Sequence, residues 1–433
     1  MSLLLEGLIL VGLLFLLLAL GVYVGLALLL VGLLGLVLFT AAPAGPNLST
    51  ALWTSTSGWS LVALPLFVWM GEILYRSRLA QGLLQGLSPL LSRLPGGLLH
   101  VNVVASALFA AVIGSSAATT ATVGRFTLPE LLRQGYPRPL ALGSLAGAGT
   151  LGFLIPPSII MIVYGVMAEI SVARLFIAGV VPGAVLTLLL MLLVALLAFF
   201  YRHQLPREPR KPLRQSFVGL LSVFPVLFLI LLVLGSIYLG VATPTEAAAI
   251  GVAGSLLLAG LNRELSRRMF WESLLGAIRT TSMIGLILAG AGVLTLAMGF
   301  TGIPRALATW AVEAGITPLA LIFFLSLVYI VLGWFLDGIS IVVLTISVIL
   351  PVVKAIGVDP LWFGVYLVIM VELAQITPPV GFNLFVIQSL TGEDLFRIAR
   401  YALPFMGVLL LMAVLLVLFP EMATWLPRTM TGG

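Results

Sequence analysis

The sequence contains no cysteine, which excludes disulfide bonds and thiolate metal sites. Its two histidines, His100 and His203, are too far apart for the His-Glu-x-x-His helix of a zinc protease. Neither lysine, Lys211 or Lys354, follows a glycine, so the chain has no Walker-type phosphate-binding loop. The small-residue stretch at Ser115 has no neighbouring candidate base for nucleophilic catalysis. We therefore expect a protein that is not an enzyme and holds no cofactor.

Charged residues are scarce as well. They make up 8% of the chain, while 61% of the residues are hydrophobic, against about 25% and about 45–50% in soluble domains. A globular core cannot hide this excess, so most of the surface must face lipid. The 433 residues suffice for about ten to a dozen crossings. The composition predicts an all-α polytopic membrane protein.

The net charge of +6 does not indicate nucleic-acid binding, because the basic residues lie in short segments between apolar runs rather than along one face. Basic residues that flank membrane spans stay in the cytoplasm. We therefore place the most basic stretch in the cytoplasm, as the junction between halves 1–214 and 215–433. That stretch contains Arg202, Arg207, Arg210, Lys211 and Arg214.

The second half repeats features of the first at an offset of 222 residues. The matched pairs are Leu128-Pro129 with Leu350-Pro351, Gly135 with Gly357, Pro156-Pro157 with Pro378-Pro379, and Pro182 with Pro404. Paired prolines at one offset are unlikely by chance, so internal repetition is predicted. We expect five crossings and one hairpin in each half. An odd number of crossings inserts the second half upside down, as in the inverted repeats of secondary transporters.

Each half is predicted to contain one re-entrant hairpin and one discontinuous helix. The first hairpin breaks at Gly114-Ser115-Ser116-Ala117 and has basic residues at both ends, so it enters and leaves on one face. The second breaks at Leu336-Asp337-Gly338. The expected hairpins cover about 98–130 and 316–356, and the broken helices about 139–168 and 359–390. The Pro-, Ser- and Thr-rich segment Pro43 to Ser60 is predicted to be a loop.

Breaks of this kind suit ion and substrate binding. The ending half-helix offers free carbonyls and the next offers free N–H groups. Carbonyls and hydroxyls fit a dehydrated cation such as Na⁺, and helix N-termini fit an anion. The alternative is that small residues only allow close helix packing. For Thr119, Thr120 and Thr122 we favour packing, or hydroxyls bonded back to their own helix. The candidates are Ser115, Ser116 and Thr150 in the first half, and Asp337, Gly338, Ser340, Gln375 and Thr377 in the second.

Acids within the membrane are costly unless paired or functional. Asp337 is interpreted either as part of the ion or substrate site or as a cap of the following half-helix. Glu372 either stabilises the nearby break or couples to the ion. Glu72 is expected to pair with Arg76 one helical turn later. Arg125 is expected to extend to the cytoplasmic interface rather than bind substrate.

At these residues the chain resembles the large membrane subunit of the tripartite ATP-independent periplasmic (TRAP) transporters. The motifs extend in order over nearly the whole chain, and only together are they specific. They are Gly114-Ser115-Ser116-Ala117-Ala118-Thr119, Leu128-Pro129-Glu130, Gly135-Tyr136, Ile155-Pro156-Pro157-Ser158, Tyr164-Gly165, Ala242-Thr243-Pro244-Thr245-Glu246-Ala247 and Thr377-Pro378-Pro379-Val380-Gly381-Phe382-Asn383-Leu384-Phe385.

The resemblance implies an elevator transporter in a bacterial or archaeal cytoplasmic membrane. It implies Na⁺-driven uptake of an organic acid that a periplasmic binding protein delivers, and a separate small four-helix membrane subunit. The alternatives are a stand-alone carboxylate transporter and, less favoured, an anion channel. The organic acid, the Na⁺ stoichiometry and the oligomeric state are not readable from the sequence.

The resemblance also implies the positions of two sodium sites. One lies between the Ser115-Ser116 tip and the Gly149-Thr150 break, and the other between Gly338 and the Thr377-Pro378 region. The substrate would lie between the two tips, against Ser115, Ser116, Asp337 and Gly338.

Overall fold

A computed structural model describes residues 3–77, 79–206, 213–379 and 381–430, and every regular element in these ranges is helical. The predicted junction residues Arg207, Arg210 and Lys211 lie outside these ranges. The first half contains α1 (Leu3–Ala19), α2 (Val24–Phe39), α3 (Ala44–Thr56), α4 (Ala63–Arg76), α5 (Leu79–Leu91), α6 (Leu99–Ile113), α7 (Ser116–Arg133), α8 (Arg138–Gly149), α9 (Leu151–Leu154), α10 (Ile159–Ala168) and α11 (Val172–Phe200).

The second half contains α12 (Leu213–Tyr238), α13 (Pro244–Leu261), α14 (Arg267–Thr301), α15 (Ile303–Glu313), α16 (Pro318–Leu332), α17 (Gly338–Ala355), α18 (Pro360–Gln375), α19 (Phe382–Thr391), α20 (Leu395–Leu418) and α21 (Glu421–Met430). Seven of the described segments are long and apolar enough to cross a membrane, and the bent pair α3 and α4 would add an eighth. The all-α, multi-pass class predicted from composition is confirmed.

The helices of the two halves occur at matching positions. Helix α7 begins at Ser116 and α17 at Gly338, and they end at Arg133 and Ala355, so both ends are 222 residues apart. Each of these helices is the second arm of a helix pair, α6 with α7 and α16 with α17. A broken helix follows each pair, α8 to α10 in the first half and α18 to α19 in the second. Each break contains a cis proline pair, Pro156-Pro157 or Pro378-Pro379.

The helices form two groups according to the neighbours they pack against. The scaffold group comprises α1 to α5 and α12 to α14, in which α14 packs on α2, α3 and α4, and α15 links this group to the core group. The core group comprises α6 to α11 and α16 to α21, in which both helix pairs pack against the broken helices. The two groups meet where α4 and α5 contact α6, and where α14 and α15 contact α17. Each helix pair is therefore held against the scaffold group by helices of its own half.

Helices α2 and α14 cross closely because glycines line the contact. A Cβ atom added at Gly290 would overlap the backbone of Gly25, and one added at Gly32 would lie 2.6 Å from the backbone nitrogen of Leu294. We expect Gly290→Val to prevent stable folding, since neither backbone can move away without separating the helices. Gly285→Val is the control on the same helix, because its Cβ would meet nothing within 4 Å. Size-exclusion profiles and melting temperatures of the two variants test this, and equal profiles would contradict it.

The prediction of a loop from Pro43 to Ser60 is wrong, because most of this segment is helix α3. Its hydroxyls are bonded back to carbonyls one turn earlier, as in Thr50 to Pro46 at 2.9 Å and Ser55 to Ala51 at 2.6 Å. Such bonds satisfy Ser and Thr inside a membrane helix and favour bending, and proline is tolerated in a first helical turn. Across a short 3₁₀ turn, α3 and α4 meet at a bend of 51°. At the matching place in the second half, α14 is one helix of 35 residues.

Candidate functional site

The tip between α6 and α7 rests on the break of the first discontinuous helix. Gly114 ends α6 with a left-handed backbone (φ 65°), and its carbonyl accepts a hydrogen bond from the Ile159 N–H at 3.1 Å. A side chain at Gly114 would lie 2.5 Å from the Pro157 carbonyl oxygen. Ser115 then caps α7, with its hydroxyl 3.5 Å from the Ala118 nitrogen. Only glycine permits both the turn and this close approach.

Ser116 is the centre of the described contacts at this tip. Its side chain is fully buried. The hydroxyl oxygen lies 3.0 Å from the Gly149 carbonyl oxygen, 2.8 Å from a carboxylate oxygen of Glu372 and 2.7 Å from the Asn383 amide nitrogen. The single hydroxyl proton is donated to Gly149 or Glu372, while Asn383 donates to the oxygen. The first tip is thereby tied to the broken helices of both halves.

Glu372 extends this connection. Its second carboxylate oxygen accepts a hydrogen bond from the Phe153 N–H at 2.6 Å, and its side chain is fully buried. The sequence offered a break-stabilising hydrogen bond as one interpretation, and the structure has such bonds, although they reach the first tip and the first break. Asn383 was not predicted as a site residue and appeared only within a family motif. An amide in an apolar helix just after Pro378-Pro379 was the available signal.

The remaining first-half candidates use their hydroxyls locally. Thr150 is buried and donates to the Gly147 carbonyl at 2.6 Å. Thr120 and Thr122 donate to carbonyls one turn earlier at 2.9 Å and 2.7 Å, so the interpretation as hydroxyls bonded back to their own helix is confirmed for both. Thr119 differs, because its buried hydroxyl has no hydrogen-bond partner among the described residues.

The second tip is capped rather than open. Asp337 is half-buried and accepts hydrogen bonds from the Ile339 N–H, at 3.1 Å, and from the Ser340 hydroxyl. Asp337 therefore has the capping role that the sequence offered as one interpretation, and its role towards substrate stays a prediction. A Cβ atom at Gly338 would lie 2.7 Å from Val371 and 2.9 Å from Ile160, so this tip too packs on both broken helices.

The second break uses Thr377 within its own helix. The hydroxyl donates to the Leu373 carbonyl at 2.7 Å, and the Thr377 carbonyl accepts from the Gly381 N–H at 3.0 Å. Pro378 follows in the half-buried turn. Gln375 has a buried amide nitrogen without a hydrogen-bond partner in the described ranges. The structure thus brings Ser115, Ser116, Gly149 and Thr150 together around one tip, and it packs Gly338 of the other tip on both broken helices.

Two cavities open where the scaffold group meets the core group. The hydroxyl cavity has a volume of about 590 Å³ and includes Thr50, Thr54, Ser55, Glu169 and Thr295 in its lining. The arginine cavity has a volume of about 540 Å³ and includes Arg76, Arg125, Arg268 and Glu272 in its lining.

Arg76 pairs with Glu72, as predicted. Arg125 is exposed, with its guanidinium 5.3 Å above the Tyr75 ring, as expected of a residue at the interface.

Glu393 connects elements at the base of the first hairpin, far from its tip. Its side chain is 7% exposed, and its two oxygens lie 2.8 Å from Arg138 and 3.1 Å from Arg397. These pairs join the start of α8 to the start of α20. Hydrogen bonds and charge attraction from Arg397 and Arg138 hold the pKa of the Glu393 carboxyl below its usual value.

This lowered pKa predicts a pH-dependent contribution to stability. The ion pairs stabilise the folded state above the unfolded pKa of about 4.3, and the contribution is lost as the pH falls through the lower folded pKa. We expect Glu393→Gln to melt below wild type at neutral pH and to converge with it in acid. Glu313→Gln, at an exposed site, should show no such convergence. A constant difference between wild type and Glu393→Gln across the acid range would contradict the prediction.

The family model described as "Tripartite ATP-independent periplasmic transporter, DctM component" matches residues 11–422. The chain belongs to this TRAP transporter family. The resemblance noted in the sequence is confirmed over almost the whole chain. Among TRAP relatives, the C4-dicarboxylate TRAP transporter large permease protein DctM of Pseudomonas aeruginosa is 35% identical over 88% of this chain and 89% of its own length. The 2,3-diketo-L-gulonate TRAP transporter large permease protein YiaN of Escherichia coli is 30% identical over 87% and 88%.

A solved structure supports the fold of this TRAP permease. The Alcanivorax borkumensis YdaH transporter superposes with a TM-score of 0.65 over 94% of this chain and 99% of that one, at 16% sequence identity. At this identity the likeness concerns the fold alone. The matched relatives are transporter permeases, and the chain is a multi-pass membrane transport subunit.

Proposed function

We propose that this TRAP permease carries an organic acid into the cell together with Na⁺, by an elevator movement of the core group against the scaffold group. The observation that carries the proposal is the buried contact of Ser116 with Gly149, Glu372 and Asn383. It joins one half's hairpin tip to the interruptions of both broken helices. Irregular backbone at membrane depth is tolerated where it lines a protein-walled site, and secondary transporters bind ion and substrate at such interruptions.

The groups at the first tip fit a sodium ion as co-substrate. Carbonyl oxygens at the end of α8, the Ser115 and Ser116 hydroxyls and a carboxylate supply hard oxygen ligands. The N-termini of α7 and α17 begin at the two tips and favour an anion such as a substrate carboxylate. We therefore assign one Na⁺ to Ser115, Gly149 and Thr150, a second to Gly338, Thr377 and Pro378, and the substrate to the space between the tips.

Re-entrant hairpins and inverted halves account for the arrangement of the helices. The matching helices of the two halves are 222 residues apart. Helix α7 ends at the basic residue Arg133, and α17 ends one residue after Lys354. The arginine and hydroxyl cavities adjoin opposite parts of α14, since Arg268 and Leu296 are separated by about 42 Å at 1.5 Å per residue. Because arginines predominate among the charged residues that line the arginine cavity, we assign that cavity to the cytoplasmic side. Sliding the core group along the scaffold group would open these sides in turn.

The TRAP relatives support the class of substrate and partners. Two are named for C4-dicarboxylate and 2,3-diketo-L-gulonate transport, and both names describe organic acids. We propose an organic acid as substrate here, a periplasmic binding protein that delivers it, a small membrane subunit as partner, and the bacterial inner membrane as the location. Inward movement of each positive charge gains about 2.3 kcal/mol per 100 mV. Two Na⁺ with a monoanion would therefore make uptake electrogenic.

Uptake into liposomes that contain the permease and small subunit tests this function. A panel of organic acids would be offered with the cognate binding protein, with and without an inward Na⁺ gradient. We expect saturable uptake of at least one acid that requires both the gradient and the binding protein. Uptake without the binding protein would indicate a stand-alone carboxylate transporter. Non-saturating flux independent of Na⁺ would indicate a channel and reject the proposal.

A further inference from the structure

Two acids are buried in the described part of the chain, and their surroundings differ. Glu393 lies between Arg138 and Arg397. Glu372 is fully buried, and its partners are the Ser116 hydroxyl and the Phe153 N–H. The described ion pairs include no basic partner for Glu372. A carboxylate removed from water is strongly unfavourable unless a cation or several donors compensate it. Two hydrogen bonds supply no counter-charge, so an ionised Glu372 needs a cation nearby.

At this position of the repeat, only the second half has an acidic residue. An offset of 222 residues matches Glu372 with Thr150, a neutral residue whose hydroxyl is bonded within its own helix. The carboxylate therefore comes from the second half and reaches the tip of the first. Among the groups described at that tip, the others are hydroxyls, carbonyls and an amide. Glu372 is thus the negative group that adjoins the proposed sodium ligands Ser115 and Gly149.

We propose that Glu372 is a positioning residue that supplies the counter-charge for the cation at the first tip. The inference rests on the proposed function, since it requires Na⁺ to bind there. Glu372 acts through Ser116, whose hydroxyl proton it accepts, and through the Phe153 N–H of the adjoining break. Asn383 donates to the same serine oxygen and holds its rotamer. Cation binding at the first half is thereby coupled to a helix of the second half.

The experiment separates charge from shape at Glu372. The purified complex, without substrate, would be melted over a series of Na⁺ concentrations with choline as the replacement cation. A ligand that binds the folded state raises the melting temperature with its concentration. Glu372→Gln keeps the size and a hydrogen-bonding group on each side but removes the charge, and Glu372→Asp keeps the charge but is shorter. Glu313→Gln, an exposed acid on α15, is the matched control.

We expect Glu372→Gln to fold in choline and to need at least about tenfold more Na⁺ for the same rise in melting temperature. Each factor of ten corresponds to a loss of about 1.4 kcal/mol in Na⁺ binding free energy. Glu372→Asp should retain more of the wild-type Na⁺ response than Glu372→Gln, and Glu313→Gln should retain all of it. A Glu372→Gln protein with the wild-type Na⁺ midpoint would overturn the inference and leave the proposed function intact. Failure of this variant to fold would overturn it also, because the amide oxygen can still accept from Phe153 and the amide nitrogen can donate to Ser116, which then donates to Gly149. A wild-type protein unaffected by Na⁺ would remove the proposed sodium coupling itself.

Discussion

Ser116→Ala should reduce sodium-driven uptake by at least about a hundredfold while leaving a folded, membrane-inserted protein. Among the described residues, the Ser116 hydroxyl alone contacts Gly149, Glu372 and Asn383 together. Its removal leaves the Asn383 amide and one Glu372 oxygen without that partner, and each unsatisfied buried group costs about 1–3 kcal/mol. The tip would then lose its connection to both breaks, and with it the geometry on which ion binding depends.

Initial uptake rates in liposomes and a melting curve of the same preparation measure this prediction. The control is Ser389→Ala on α19, whose exposed hydroxyl is bonded to the Val386 carbonyl of its own helix at 2.7 Å. That variant should transport like wild type. Ser115→Ala should have a smaller effect than Ser116→Ala, because Ser115 makes one long capping contact of 3.5 Å. Wild-type uptake by Ser116→Ala would reject the first tip as the site.

Gly152→Val is expected to be as severe as Ser116→Ala, for a steric reason. A Cβ atom at Gly152 would lie 2.6 Å from both the Ser115 carbonyl oxygen and the Ser116 Cα. Both are backbone atoms, so no side-chain rotation relieves the overlap. The hairpin tip must withdraw from the broken helix, which separates Ser116 from Gly149. We expect uptake to fall below detection and the Na⁺-dependent rise in melting temperature to disappear.

The matched control for Gly152→Val is Gly407→Val on α20. It also belongs to the core group, but it is exposed and a Cβ atom there would meet nothing within 4 Å. Gly407→Val should keep both uptake and the Na⁺ response. A Gly152→Val protein that still binds and transports Na⁺ normally would mean that the approach of the tip to the first break is unnecessary for function.

The architecture was predictable because its signals are local and repeated. Apolar runs gave the helices, and the proline pairs at Pro156 and Pro378 gave the offset at which the helices in fact match. The glycine at Gly114 and the serines after it correctly gave the interruption between α6 and α7. The incorrect prediction of a loop from Pro43 to Ser60 also has a local cause. Ser and Thr are common in loops, but inside this helix their hydroxyls donate to carbonyls one turn earlier.

The centre of the candidate site was less accessible from the sequence. Ser116 meets Glu372 across 256 residues and Asn383 across 267. No spacing rule links residues so distant, and their approach depends on how the broken helices pack. Glu372 could be singled out as a costly acid, but its partner could not be named. Asp337 was singled out for the same reason, and its carboxylate caps the first turn of α17, one of the two roles considered for it.

The bend between α3 and α4 makes the scaffold unequal on its two sides. The first half has a wall angled by 51°, whereas the second has one uninterrupted helix of about 52 Å. Under the proposed elevator movement, the core group would pass different surfaces in its two directions of travel. The two end positions would then differ in energy even without ion or cargo.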